Sequence, residues 1–189
     1  LYSSLPDIEL WNAFANGDKE AFSALFQRFY PLLFQYGNKI TRDSDLLEDM
    51  IQELFLELWL KQGNNPVQSV KAYLLQAIKF KLYKTFRNKK MVTTNEAENY
   101  LFELSQETLL INEEEDQERT KKICAALELL SPRQKEVIYL KIYKGLSYEE
   151  VSEIMELNYQ VVRNLLCAAL KAFKKLCAFI LIPAVILLS

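Results

Sequence analysis

The stretch "YQVVRN", Tyr159 to Asn164, carries Gln160, Arg163 and Asn164 within two helical turns. Glutamine and asparagine can make paired hydrogen bonds to adenine, and arginine can do the same to guanine. Further along the chain, Lys171, Lys174 and Lys175 are spaced to meet phosphates, which sets affinity without reading sequence. A second group lies between Leu58 and Asn95, a span with no acidic residue, in which Lys61, Lys71, Lys79, Lys81, Lys84, Arg87, Lys89 and Lys90 accumulate. Tyr73, Phe80, Tyr83 and Phe86 are interleaved with these cations. Rings alternating with positive charge suit single-stranded nucleic acid, whose bases stack along a basic groove. The alternative for each ring taken singly is an ordinary core position with solvated lysines around it. A third group, in "LEDMIQELFLELWLKQ" from Leu47 to Gln62, concerns protein rather than nucleic acid. Leu47, Ile51, Leu54, Phe55 and Leu58 recur at helical steps and form one apolar face. The opposite face holds Asp49, Glu53, Leu56 and Leu60, two acids beside two leucines where a surface helix would be polar throughout.

Catalysis has no comparable support. Histidine is absent, which removes the commonest general base and metal ligand. Cys124, Cys167 and Cys177 are odd in number and widely spaced, so neither a disulfide framework nor a zinc site is indicated, and a reducing, cytoplasmic location is expected. No glycine pattern of a dinucleotide or phosphate loop is present. No cofactor, no metal and no enzymatic activity are expected.

The elements that must position these groups are helices. Half of the 189 residues are apolar, glycine and proline are few, and strong helix formers run nearly end to end, so an all-α fold is predicted. A short helix should start near Asp7 and end at Asn16-Gly17. Asp18 should then cap a long helix reaching about Ile40. After a turn at Thr41 to Asp45 comes the helix with the mixed face, then the loop "QGNNPVQS", then a helix over about Val67 to Asn88. The last of these should carry Tyr73, Leu74, Ala77, Ile78 and Leu82 inward. Four helices with interlocking aromatics make one compact domain.

Charge marks the division that follows. Glu96 to Glu118 is strongly acidic and includes "NEEEDQE", expected to be either a solvated helix or a flexible tether. Beyond it, "SPRQ" at Ser131 and "SYEE" at Ser147 are capping boxes, the first with proline in the first helical position. The first helix should stop before Gly145 and the second at Met155. After "ELN" a third should run from about Tyr159 to at least Lys175. This is the spacing of a helix-turn-helix, or else of a three-helix bundle that merely has a basic face.

The segment "EDMIQELFLELW" resembles the core-enzyme-binding helix of extracytoplasmic-function sigma factors. The segment "LSPRQKEVIYLKIYKGLSYEEVSEIMELNYQVVRNLL" is similar to their C-terminal helix-turn-helix. The resemblance implies two small helical domains joined by an acidic linker: residues 6–95 for polymerase binding and melting of the minus-ten element, 96–119 as linker, 120–176 for the minus-thirty-five element, and 177–189 as an apolar tail. It implies that Asp49, Gln52, Glu53 and Glu57, around Leu56 and Leu60, meet the clamp helices of the largest subunit of core RNA polymerase. It further implies that the loop Gln62 to Ser69, with Asn64 and Asn65, holds a flipped base, while Tyr73, Lys79, Lys81, Lys84 and Arg87 bind promoter DNA near the minus-ten element. Tyr159, Gln160, Arg163, Asn164, Lys171, Lys174 and Lys175 would serve the minus-thirty-five element, and an anti-sigma factor is an expected partner. The sequence departs from the family pattern at Phe80, where many relatives have asparagine, and at Leu165, Cys167 and Ala168, positions often basic or aromatic.

The tail "CAFILIPAVILLS" is uncharged, with Pro183 inside it, and at about a dozen residues is shorter than the roughly 20 that a bilayer span needs. Three roles compete for it: packing in a groove of its own protein, binding a partner, or touching a membrane. A chain that opens on Leu1 is expected to be trimmed. Two rivals to a sigma factor remain at this level: a helix-turn-helix regulator acting without polymerase, and a helical protein-interaction adaptor that does not bind DNA.

Overall fold

The computed structural model describes residues 2–61, 66–88, 102–104, 123 and 125–186, with side chains as far as Lys175. The protein is all-α, and its contacts divide it into two compact units, Leu1–Asn99 with Glu153–Glu156 and Tyr100–Ser152 with Leu157–Ser189.

In the first unit, α1 (Asp7–Ala15) carries Asp7 and Glu9 in its first turn, where the helix dipole favours acids. It ends at Asn16-Gly17, and Gly17 turns the chain with φ +88°, a conformation open to glycine at little cost. Asp18 caps α2 (Lys19–Gly37), its Oδ1 accepting the amides of Glu20 at 2.9 Å and Ala21 at 3.0 Å. The helix continues through Pro31, whose missing amide leaves the carbonyl four residues back without its helical donor. Both Pro31 and Gln27 are solvent-exposed, so water can satisfy that oxygen. Ahead of α1, the 3-10 turn Tyr2–Ser4 is strapped down by Arg28, which donates to the carbonyls of Leu5 at 2.7 Å and Tyr2 at 2.8 Å and pairs with Asp7 at 2.8 Å.

Helix α2 packs against α1, α3 (Ser44–Lys61) and α4 (Val70–Asn88), so it is the axis of the bundle. Asp43 caps α3 by accepting the amide of Leu46 at 3.0 Å, and Ser69 caps α4 by accepting that of Ala72 at 3.2 Å. The five residues that α3 buries are Leu47, Ile51, Leu54, Phe55 and Leu58, the five its periodicity selects. On α4, Leu74, Ile78 and Leu82 are buried as expected and Leu75 and Phe86 join them, while Tyr73 and Ala77 lie half-buried at the margin. Aromatic edges lock the helices together: Trp11 against Tyr73 at 5.3 Å, Phe22 against Trp59 at 5.0 Å, and Phe26 against Phe55 at 4.9 Å between ring centroids.

The rest of the chain has a helical stretch at 125–128, then α5 (Pro132–Ile138), α6 (Tyr148–Met155), whose residues from Glu153 on group with the first unit, and α7 (Tyr159–Ile186). Both capping boxes close reciprocally. Ser131 Oγ accepts the Gln134 amide at 3.3 Å while Gln134 Oε1 accepts the Ser131 amide at 3.0 Å. Ser147 and Glu150 do the same at 3.1 and 2.8 Å. Helix α5 widens into a π turn over Tyr139–Tyr143, and the chain then reverses at Gly145, φ +66°. The turn before α7 places Glu156 at φ +54°, a left-handed conformation that is unfavourable for a residue with a Cβ. Asn158 caps α7, its Oδ1 accepting the Val161 amide at 2.9 Å. Helix α5 packs on α7, with Val137, Tyr139, Leu140, Val162, Leu166 and Ala169 buried.

One feature departs from the sequence-based expectations and one extends them. Phe102, inside the stretch expected to be linker, is buried and packs on Tyr139 at 5.6 Å, so this part of the acidic region anchors an apolar ring. The backbone of α7 stays helical to Ile186, past Lys175 and Pro183. The rest of the expected linker, and the side chains of the apolar tail, lie outside the described residues. Among the described residues no helix is long and apolar enough to cross a membrane.

Helices α2 and α3 approach closely at Gly37, which is buried; a Cβ there would overlap the δ carbons of Leu47 on α3, itself fully buried. Gly37→Ala should therefore destabilise the first unit by about 1–3 kcal/mol through overpacking. Both tryptophans, Trp11 and Trp59, lie in this unit, so a urea melt followed by tryptophan fluorescence isolates it. An unchanged midpoint would show that α2 and α3 can separate without loss.

Candidate functional site

The outward face of α3 remains open. Asp49, Gln52 and Glu53 are exposed, Glu57 is half-buried, and Leu56 and Leu60 are 56% and 72% exposed. An apolar centre flanked by acids is what a protein docking surface presents: area to desolvate and charge to fix register. The acids are themselves held in place. The ammonium of Lys81, reaching over from α4, donates to Glu53 at 2.9 Å and to Glu57 at 2.7 Å, and its side chain is only 13% exposed. Lys61 adds a looser approach to Glu57 at 3.9 Å. Lys81 lies along a shallow groove of about 380 Å³ between α3 and α4, with Met50 and Thr85 lining it and Phe80 and Lys84 at its wall.

This bridge changes the account of α4. Of the expected cations, Lys84 and Arg87 are exposed, Lys81 is committed to the α3 acids, and Lys79 is 6% exposed. Lys79 sits four residues after Leu75 and three before Leu82, beside the buried stripe, and its ammonium donates to the Ile154 carbonyl at 3.3 Å. The expected basic surface of Lys79, Lys81, Lys84 and Arg87 is thus reduced to its outer two members in this conformation. The rings divide similarly. Tyr73 packs edge-on against Trp11, Phe86 is buried against Tyr83 at 6.3 Å, and Phe80, 60% exposed, has a face open for stacking. Asn64 and Asn65 lie outside the described residues.

On α7, Tyr159, Gln160, Arg163, Asn164, Lys171, Lys174 and Lys175 are all exposed, opposite the buried Val162, Leu166 and Ala169. Gln160 Nε2 donates to Asn164 Oδ1 at 3.0 Å, joining the amides across one turn. Arg163 lies over the Tyr159 ring at 5.9 Å, and Tyr159 leans on Tyr148 of α6 at 5.4 Å. Lys141 caps the Tyr148 ring at 4.5 Å. Tyr148 was not singled out in the sequence, because an aromatic at the second position of a capping box carries no local signal that it will prop up a residue on the next helix. Lys81 escaped for a related reason: its partners are 24 and 28 residues away on another helix.

Comparisons with known proteins cover both units. Residues 25–91 match the family model for sigma-70 region 2 and residues 121–173 that for sigma-70, region 4. The chain is 22% identical over 169 residues to the ECF RNA polymerase sigma factor SigK of Mycobacterium sp. strain KMS, covering 85% of this chain and 84% of that one. It is 23% identical over 165 residues to the protein of the same name from Mycolicibacterium vanbaalenii, with the same coverage. Among solved structures it is similar to the sigma factor RpoE in complex with the anti-sigma factor NepR from Bartonella quintana, with TM-score 0.58, 20% identity, and 83% of this chain and 96% of that one covered. It is also similar to CnrH in complex with the cytosolic domain of CnrY, with TM-score 0.59, 20% identity, and coverage of 90% and 96%.

The hydrogen bond from Lys81 holds the Glu57 carboxyl below its ordinary value of 4.5, against a smaller opposing effect of burial. Burial pulls Lys81 down, but its bonds to Glu57 and Glu53 outweigh that and raise it above 10.5. A depressed carboxyl stabilises the fold fully above its unfolded value and loses that contribution as pH falls through the lower folded one. A raised ammonium contributes below its unfolded value and loses this as pH rises through the folded one, so the bridge is intact through neutral pH. An NMR titration should put the Glu57 carboxyl midpoint below 4.5, and Lys81→Met should move it back up. A wild-type midpoint at or above 4.5 would dismiss the bridge in solution.

Proposed function

Because this chain belongs to the sigma-70 family, carrying both its region 2 and its region 4, we infer that it binds core RNA polymerase and directs it to a specific set of promoters. It is an alternative sigma factor of the extracytoplasmic-function type, a non-catalytic subunit that supplies recognition while the polymerase supplies chemistry. The observation that carries the finer assignment is the open face of α3. A single chain in water does not ordinarily leave two leucines more than half exposed between acids on a helix whose other face is core.

In this proposal the α3 face, Asp49, Gln52, Glu53, Leu56, Glu57 and Leu60, docks on core polymerase. Lys81 acts as a positioning residue, holding Glu53 and Glu57 in register beside the leucines. Phe80 stacks on a base of the opened strand, and Lys84 and Arg87 meet its phosphates. Asn64 and Asn65, outside the described residues, hold a flipped base of that strand in this proposal. On α7, Gln160, Arg163 and Asn164 address base edges of the upstream promoter element, while Lys171, Lys174 and Lys175 neutralise phosphates. The two solved relatives are held in complexes with an anti-sigma factor and with the cytosolic domain of CnrY. A protein that covers the α3 face of this chain would compete with polymerase for it.

Run-off transcription with purified core polymerase tests the whole proposal, and failure to form a complex with core would remove it. Leu56→Ser combined with Leu60→Ser should weaken the core complex roughly ten-fold or more, as expected when the apolar centre of an interface is lost. The thermal melt should stay where it is, since both side chains are already in water. A lower melting temperature with unchanged core affinity would show that the leucines serve the fold instead.

A further inference from the structure

The exposed face of α7 carries a specific hydrogen-bonding complement, and from it we propose that the upstream element read by this protein is A·T-rich, with adenine held by the Gln160–Asn164 pair and thymine methyl groups packed on Cys167 and Ala168. The inference rests on the promoter-reading role assigned to this helix above.

At about 100° per residue, Gln160 and Ala168 each lie about 40° from Asn164, Cys167 about 60° and Lys171 about 20°. All five side chains are exposed. The centre of the face is therefore two amides, a thiol and a methyl group, with lysine entering only toward the C-terminal end. Arg163, the sole guanidinium on α7, lies about 100° from Asn164 and is turned over the Tyr159 ring at 5.9 Å. Guanine's usual reader thus sits at the margin of this face and not at its centre.

The amide pair sharpens this. Gln160 spends one N–H on Asn164 Oδ1 at 3.0 Å, which steadies the Asn164 amide and leaves its two N–H donors beside a remaining lone pair of its carbonyl. Turning both amides over still leaves Asn164 an N–H donor beside its carbonyl acceptor. Adenine offers an acceptor at N7 beside a donor at N6 in the major groove, which matches it. Guanine offers acceptors at both N7 and O6, so an Asn164 amide laid side-on against it would turn its carbonyl toward an acceptor of the base. Ala168 has nothing to give guanine O6 or take from cytosine N4 and the Cys167 thiol is only a weak donor and acceptor, so the thymine methyl is the base-edge group they cover best without leaving a polar atom unmatched. From Gln160 to Ala168 the helix rises about 12 Å, a reach of about three or four base pairs.

The test uses the full chain with core polymerase and a promoter library randomised across the upstream element, with the run-off products sequenced. Three or four adjacent positions should be enriched in A·T. Asn164→Ala should lower the preference for adenine at one of them roughly ten-fold and leave the others alone. Ala168→Arg should shift a neighbouring position toward guanine. Enrichment of G·C at these positions by the wild type, or a base profile that Asn164→Ala does not move, would overturn the inference while leaving the sigma assignment standing. Absence of any run-off product with core would overturn both.

Discussion

The ammonium of Lys81, lying between the carboxylates of Glu53 and Glu57, ties α4 to the acidic face of α3. Glu53 and Glu57 are four residues apart on one helix, where like charges repel by a few tenths of a kcal/mol. One shared cation removes that repulsion and gives both side chains a single orientation. The same contact neutralises one of the lysines on α4, so the cationic surface begins at Lys84 and Arg87 rather than at the centre of the helix. Acid and base are thereby sorted onto opposite sides of a groove, and Leu56 and Leu60 are left as the apolar part of the acidic side. A carboxylate pair already bonded to its own ammonium also loses less entropy when a partner docks against it.

The second unit achieves order by different means. Its helices are short and joined by tight turns, so caps carry much of the local specification: two reciprocal boxes at Ser131 and Ser147 and an asparagine at Asn158. A left-handed Glu156 sits where a glycine would be free of steric penalty, a local cost of about 1–2 kcal/mol that the packing around it must offset. The ring relay from Lys141 through Tyr148 and Tyr159 to Arg163 then orients one edge of α7. Preorganised side chains forfeit less rotamer freedom on binding, so in the proposed promoter contact more of each base interaction would appear as discrimination.

Much of this was legible in the chain because helices announce themselves locally. The five residues buried on α3, the caps at Asp18, Ser131 and Ser147, and the break at Gly17 follow from spacing and turn chemistry within a few residues. The open face of α3 was visible too, as leucines out of phase with the core stripe. Errors came where phase was not followed through. Lys79 looked like one more member of a basic run, although its spacing from Leu75 and Leu82 puts it beside the buried stripe. Phe102 was hidden by its acidic neighbours, since charge dominates the reading of a linker while a single ring can anchor it.

By itself, the sequence determined the all-helical class, the ends of most helices, the apolar stripe of each and the exposed set on α7, because each depends on a 3.6-residue period and on side chains that reach at most a turn away. Only the tertiary structure decided which charges remain available. Whether a lysine is a DNA contact or a clamp on two glutamates depends on what the neighbouring helix places within 3 Å of it, as Glu53 and Glu57 do for Lys81. That neighbour is set by how closely α2 lets α3 approach at Gly37 and by how α3 and α4 pack, pairings of residues far apart in the chain that no local spacing encodes.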